Sequence, residues 1–337
     1  MKPRVLHHGP GESASRRRRL LAALLALAPA SVVVALLSGS ISVPSEALWQ
    51  ALTGSHGDPL IRSVVLDLRL PRALTAFAVG GLLAVAGALM QVLLRNPLAD
   101  PYVLGVSGGA SAAAMLAMLA GLGTTQTTGC AFLGAITSML IVFGLAHGRG
   151  GWTPSRLLLT GVVVASGWGA VISFILSVSP SQALPGMVFW LMGEVRHGEH
   201  PLPAIGVLLV GLAVSWPMAR SLNLLARGEL QASALGVPVS RLRLVVYVTA
   251  SLLTAVAVTR AGSVGFVGLV VPHVWRLAAG YEHRWLLPAA ALMGGSLLVI
   301  ADTLARVIIA PQQLPVGVLT TALGVPLFLY LLRRGPL

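Results

Sequence analysis

Residues 101–148 read PYVLGVSGGASAAAMLAMLAGLGTTQTTGCAFLGAITSMLIVFGLAHG, without a single Asp, Glu, Lys or Arg. A membrane span takes roughly 20 mostly apolar residues to cross about 30 Å of hydrocarbon. The stretch holds two such lengths, and the run from Gly121 to Gly129 predicts a hairpin break between them. Working outward, the same reading finds apolar stretches at 20–39, 73–94, 102–121, 130–147, 157–178, 201–219, 244–259, 262–279, 285–301 and 314–332.

The charges between these stretches supply a test of the count. With the N-terminus inside, the outside gaps hold Arg62, Arg69, Arg72, Arg196, Arg260 and Arg306, and every other basic residue lies inside. The 23 basic residues thus divide 17 to 6, the bias expected when positive loops stay in the cytoplasm. The expectation is an all-α polytopic membrane protein with ten transmembrane helices per subunit and both termini cytoplasmic.

Composition agrees. Hydrophobic residues make up 56% of the chain and charged residues 10%, too apolar for a soluble domain of 337 residues. The net charge of +13 is accounted for by loops that fix topology and meet anionic lipid headgroups, so no nucleic acid partner is implied. One cysteine, Cys130, rules out an intramolecular disulfide and any multi-cysteine metal site. Arg16 to Arg19 before an apolar run, then Ala28-Pro29-Ala30, imitate a cleaved signal, but the run continues through Val32, Val33 and Val34 to spanning length. It reads as a signal anchor and first helix, behind a disordered cytoplasmic tail over 1–15. Residues 16–334 read as a single transmembrane domain.

Segment 40–72 holds Glu46, Asp58, Arg62, Asp67, Arg69 and Arg72, too polar to span and expected to form short helices and loops. Pro180 and Pro185 end the stretch near 178, and Met187 to Met192 should lie in the outer interface, where Trp190 suits the aromatic belt. Gly80, Gly81, Ala84, Ala86, Gly87 and Ala88, with Gly294, Gly295 and Ser296, mark faces where helices approach closely. Residues 220–243 are amphipathic and end in Gly236 and Pro238, predicting two short helices at the membrane surface with Gly236 as a C-cap. Such a loop suits either an interfacial helix or a docking element for a cytoplasmic partner.

Several blocks in order resemble the FecCD-type permeases, membrane subunits of binding-protein-dependent ABC importers for iron chelates, haem and vitamin B12. They are Arg69-Leu70-Pro71-Arg72, Gly87-Ala88-Leu89-Met90-Gln91, Arg95-Asn96-Pro97-Leu98-Ala99-Asp100-Pro101 and Leu104 through Ala110. Further blocks are Trp190-Leu191-Met192-Gly193, Glu229 through Gly236, Gly265 through His273, His283-Arg284, Ala301 through Arg306, and Leu314-Pro315-Val316-Gly317.

The resemblance implies a transport subunit, not an enzyme, that pairs with a second copy of itself around a translocation path. It implies two copies of a cytoplasmic ABC ATPase, a periplasmic substrate-binding protein, and a multi-pass location in the bacterial inner membrane, in contact with lipid. No cofactor is implied on this chain; ATP and Mg are used by the partner ATPase. By the same resemblance Arg227, Glu229, Ala232 and Gly236 belong to the ATPase-coupling element within 220–243, with Glu229, Ala232 and Gly236 facing the ATPase groove. Arg69, Arg72 and Arg306 match the arginines that dock the binding protein. The charge division independently put these three in the outside minority, where guanidinium–carboxylate pairing is a sound use; anchoring at a helix start is the plain alternative for Arg69 and Arg72.

No Walker A sequence occurs, so the energy must enter from a partner. His273 and Asp302 are the ionisable residues expected nearest the hydrocarbon, and both read as structural hydrogen-bonding groups. Glu194, His197, Glu199 and His200 are of metal-ligand type, though a transient contact to a bound protein suits such a loop better. An ion-coupled secondary transporter would need a core carboxylate or histidine relay, and an intramembrane enzyme a convergent nucleophile or metal site. The centres of the stretches lack charge. The sequence leaves open whether the chelate is a siderophore, haem or cobalamin.

Overall fold

The structure, a computed structural model, describes residues 10–39, 43–54, 58–147, 153–196 and 200–334, and all regular structure among them is helical. In chain order the helices are α1 (Pro10–Leu37), α2 (Ser45–Thr53), α3 (Pro59–Ser63), α4 (Leu70–Leu93), α5 (Val106–Leu119), α6 (Thr124–Ala146), α7 (Pro154–Val178) and α8 (Leu184–Met192). There follow α9 (Leu202–Ser215), α10 (Ala219–Arg227), α11 (Glu229–Ala234), α12 (Val239–Ala261), α13 (Val267–Ala279), α14 (His283–Val307) and α15 (Val316–Arg334). A π-helical segment, Val64–Arg69, joins α3 to α4 into one 35-residue run.

Among the described residues six helical runs are long and apolar enough to cross a membrane: α1, α3 with α4, α6, α7, α12 and α14. The pair α9 and α10, bent by 67°, makes a seventh if counted as one span; α5, α13 and most of α15 are shorter apolar helices. Each apolar stretch read from the sequence falls on one of these helices.

The details differ in places. Helix α1 already begins at Pro10, inside the segment expected as a disordered tail. The hairpin break is confined to Ala120–Gly123, because Gln126 Oε1 accepts from the Gly123 N–H at 3.2 Å and starts α6 at once. The threonines that read as a loop are helical, Thr128 returning its hydroxyl to Thr124 O at 3.0 Å. Trp190 is 3% exposed, with the Arg196 guanidinium 4.2 Å from its ring centroid, so it is a packed residue and not part of an interfacial belt.

Helix α4 is the axis of the bundle, and every residue from Ala78 to Leu93 is buried. Hydrocarbon tails are as apolar as leucine, so burial by itself does not hold helices together in a membrane; close van der Waals contact does. A Cβ built on Gly80 would lie 2.1 Å from Gly294 O, and one on Gly87 1.9 Å from Gly268 O. At these two points α4 rests on the backbones of α14 and α13, and no side chain larger than hydrogen fits. Replacing Gly80 with alanine should therefore lower the melting temperature in detergent, at a cost of about 1–3 kcal/mol. Gly144→Ala, where the added methyl meets nothing within 4 Å, should melt like the parent.

Candidate functional site

The start of α4 lies against the end of α14, and three of the predicted site residues meet there. Arg72 holds Asp302 in a fork, its Nη2 2.8 Å from Oδ1 and its Nε 3.0 Å from Oδ2, and Nη1 reaches Gln313 Oε1 at 3.1 Å. Arg306, one turn after Asp302, donates its Nε to the same carboxylate at 3.1 Å. Arg69 donates to Leu36 O at 2.6 Å, and Arg306 also reaches Ser38 O at 3.4 Å. The last carbonyls of α1 have no partner within their own helix, and cations are favoured at that end. The cluster thus ties α1, α4 and α14 together at one end.

Arg69, Arg72 and Arg306 are 7%, 4% and 8% exposed, and Asp302 is 1% exposed. They are therefore internal ties first, with guanidinium groups turned to acceptors of their own chain. Arg72 and Arg306 share the one carboxylate and Arg69 lies close to Arg306, so the cluster keeps a positive excess. Asp302, expected as a structural group, has both oxygens engaged and offers no carboxylate for ion relay. His273, expected to hydrogen-bond, has instead a buried Nε2 with no partner among the described residues and packs edge-on against Phe328.

At the other end of the bundle α9 breaks into α10, and Gly228 turns the chain into α11. The C-cap reading of Gly236 holds: with φ at +80° it donates to Ser233 O at 3.0 Å, and Val237 N–H to Ala232 O at 3.0 Å. These two bonds close the helix with a left-handed residue that favours glycine. Arg227 is exposed, and half-buried Glu229 pairs with the buried Arg243 of α12. Ala232 does not face outward as expected; it is fully buried, because α11 lays that side on the bundle. Gly236 is exposed as expected, and the large apolar residues exposed beside it are Leu230 and Leu235, 87% and 67% exposed, which sequence reasoning passed over because leucine in an apolar chain carries no contrast.

The turn after α4 is built by side chains. Asn96 Oδ1 accepts from Leu98 N–H at 2.9 Å, and Asp100 Oδ1 from Tyr102 N–H at 2.8 Å, starting the 3₁₀ turn Pro101–Leu104. Burial pushes the Asp100 carboxyl up to about 6, against the opposing pull of the Tyr102 N–H. Glu194 and Arg196 line a cavity of about 320 Å³ beside the α5–α6 turn, while His197 and Glu199 lie outside the described residues.

An all-helical bundle with ionic ties at one end and a helical elbow at the other has the architecture of a polytopic membrane protein. The FecCD transport family matches residues 25–334, and the chain belongs to that family. It is 41% identical over 338 residues to the cobalamin import system permease BtuC of Halobacterium salinarum, covering 96% of this chain and 90% of that one. To the hemin transport system permease HmuU of Yersinia pestis it is 38% identical over 323 residues, covering 94% and 93%. A solved inward-facing structure assigned to the metal-chelate type of ABC transporter superposes with a TM-score of 0.84 at 31% identity, covering 94% of this chain and all of that one. The protein is an ABC-type permease.

Two outcomes test the site as described. Asp302→Asn leaves two guanidinium groups buried without their carboxylate and should destabilise the folded chain by about 3–5 kcal/mol, read by denaturant melts in detergent. Asp100 holds its proton more tightly folded than unfolded, so its ionisation destabilises the fold. That loss is absent well below the ordinary carboxylate range and grows as pH rises through about 6. Asp100→Asn, which keeps the accepting oxygen, should raise the melting temperature at neutral pH and match the parent only well below the ordinary carboxylate range.

Proposed function

We propose that two copies of this chain form the translocation path of an importer for a metal chelate, a ferric siderophore or haem, or for vitamin B12. Each copy crosses the bacterial inner membrane ten times with both termini cytoplasmic. An ATPase subunit docks under each copy on α10 and α11, and a periplasmic binding protein docks at the Arg69, Arg72 and Arg306 end. ATP and Mg belong to the ATPase, and the chemistry of this subunit is a change of access driven through its helices.

The observation that carries this reading is the elbow at Gly228. It presents Leu230 and Leu235 outward at the end of the bundle opposite the arginine cluster, and it is wired inward through Glu229 to Arg243 of α12. A groove in a nucleotide-binding subunit that takes these leucines can push on α12 through that ion pair. The relatives carrying cobalamin and hemin in their names support the cargo class. The positive excess around Asp302 supports docking of acidic residues from the binding protein, with the internal ties holding the arginines in place before it arrives.

The chain would be reconstituted with its ATPase and binding protein, and ATP-dependent uptake of cobalamin, haem and a ferric siderophore measured. Uptake of one is expected. Leu230→Asp and Gly236→Val should each lower it about tenfold or more while leaving binding-protein affinity unchanged. Full uptake by a well-assembled Leu230→Asp complex would sink the docking assignment, and uptake of none of the three by an assembled, ATP-hydrolysing complex would overturn the cargo class.

A further inference from the structure

A cavity of about 200 Å³ opens where α4 ends, beside α10 and α13, with Gln91, Arg95, His273, Arg276, Tyr281 and His283 among its walls and no Asp or Glu. Arg276 is 9% exposed and donates to Gln91 Oε1, whose amide Nε2 is spent on Gly268 O and Leu269 O at 3.4 and 3.3 Å. Of the buried arginines, Arg72, Arg306 and Arg243 each meet a carboxylate and Arg69 is tied to the Leu36 carbonyl at the end of α1, whereas Arg276 meets no carboxylate among the described residues and has only the neutral Gln91. A buried guanidinium without an anion is costly, and its planar fork suits an oxyanion. Arg95 also lines it, in the left-handed region at φ +48°, exposed and with no side-chain partner among the described residues.

Two further atoms point the same way. The Nε2 atoms of His273 and His283 are buried with no hydrogen-bond partner among the described residues. Asn223 Oδ1 accepts from the His283 backbone N–H at 3.0 Å and lies 2.6 Å from its Nδ1, which fixes the ring proton on Nδ1. Nε2 is then an acceptor awaiting a donor. A lining with a buried guanidinium and an imidazole that lacks a donor suits a group that is negatively charged and also carries a hydroxyl. With water occupying about 30 Å³ in the liquid, the volume admits a tetrahedral oxyanion.

We propose that this cavity binds a phosphate group, either free phosphate or the headgroup of an anionic phospholipid, between Arg276 and Arg95. It is tested on the full chain in phosphatidylcholine nanodiscs at fixed ionic strength, titrated with radiolabelled inorganic phosphate. In parallel, discs containing phosphatidylglycerol are assayed by native mass spectrometry for retained lipid. Wild type should bind one of the two probes, and Arg95→Gln and Arg276→Gln should each bind it about tenfold more weakly, the loss of one charge-assisted contact. Arg18→Gln, an exposed arginine on α1, should bind as wild type. Binding of phosphate identifies the free anion as the source, and retention of phosphatidylglycerol alone identifies the headgroup. If Arg276→Gln fails to fold, the exposed Arg95 still gives the reading. Binding of neither probe, equal weakening by Arg18→Gln, or undiminished binding by an Arg95→Gln chain that melts like wild type overturns the proposal.

Discussion

The rest of the molecule depends on the contact of backbone with backbone along α4. Where Gly80 meets Gly294 and Gly87 meets Gly268, helices approach without an intervening side chain. In lipid there is no hydrophobic gain from associating apolar helices, so dispersion at short range has to hold the bundle. Once those two contacts are set, the positions of α13 and α14 along α4 are fixed, and the polar groups at both ends come into reach.

Those ends are where charge is used. Helix α4 is about 36 Å long at 1.5 Å per residue, so it separates two ionic clusters by the depth of a membrane. At its start Arg72 and Arg306 share Asp302 while Arg69 completes the last turn of α1. At its finish Gln91 takes Arg276. Arg17 behaves like Arg69 in mirror image, donating to Ala279 O at the end of α13 at 2.8 Å and pairing with Glu282. Arginines that topology rules alone would place as loop charges serve as caps for helix ends that have run out of internal donors.

The sequence made the helix class, the approximate helix positions and the elbow at 220–243 legible, because long uncharged runs, the placement of arginine and the pair Gly236 and Pro238 are strong local signals. It located the three arginines that cluster with Asp302, through a motif resemblance and a charge asymmetry. It did not foresee that they would be buried, since the acid that takes Arg72 lies 230 residues away and carries no local mark. The outward faces of α11 and the burial of Trp190 were also illegible. In a chain where both lipid and interior are apolar, periodicity loses its contrast, and only Glu229 and Arg227 stood out against Leu230 and Leu235. The hairpin break was overdrawn because threonine reads as a turn residue, whereas Thr128 satisfies its hydroxyl within the helix.

The tie between Arg72 and Asp302 also imposes an order in time. Its partners are 230 residues apart, and synthesis proceeds at about 5–20 residues per second, so α4 waits on the order of tens of seconds for its counter-ion to be made. During that interval Arg72 must stay hydrated at the membrane surface, its stem along the hydrocarbon and its head in water. The bundle can close only after α14 has inserted. Assembly of this subunit is therefore completed from its C-terminal third, and a nascent chain truncated before Asp302 holds an axis that cannot be locked.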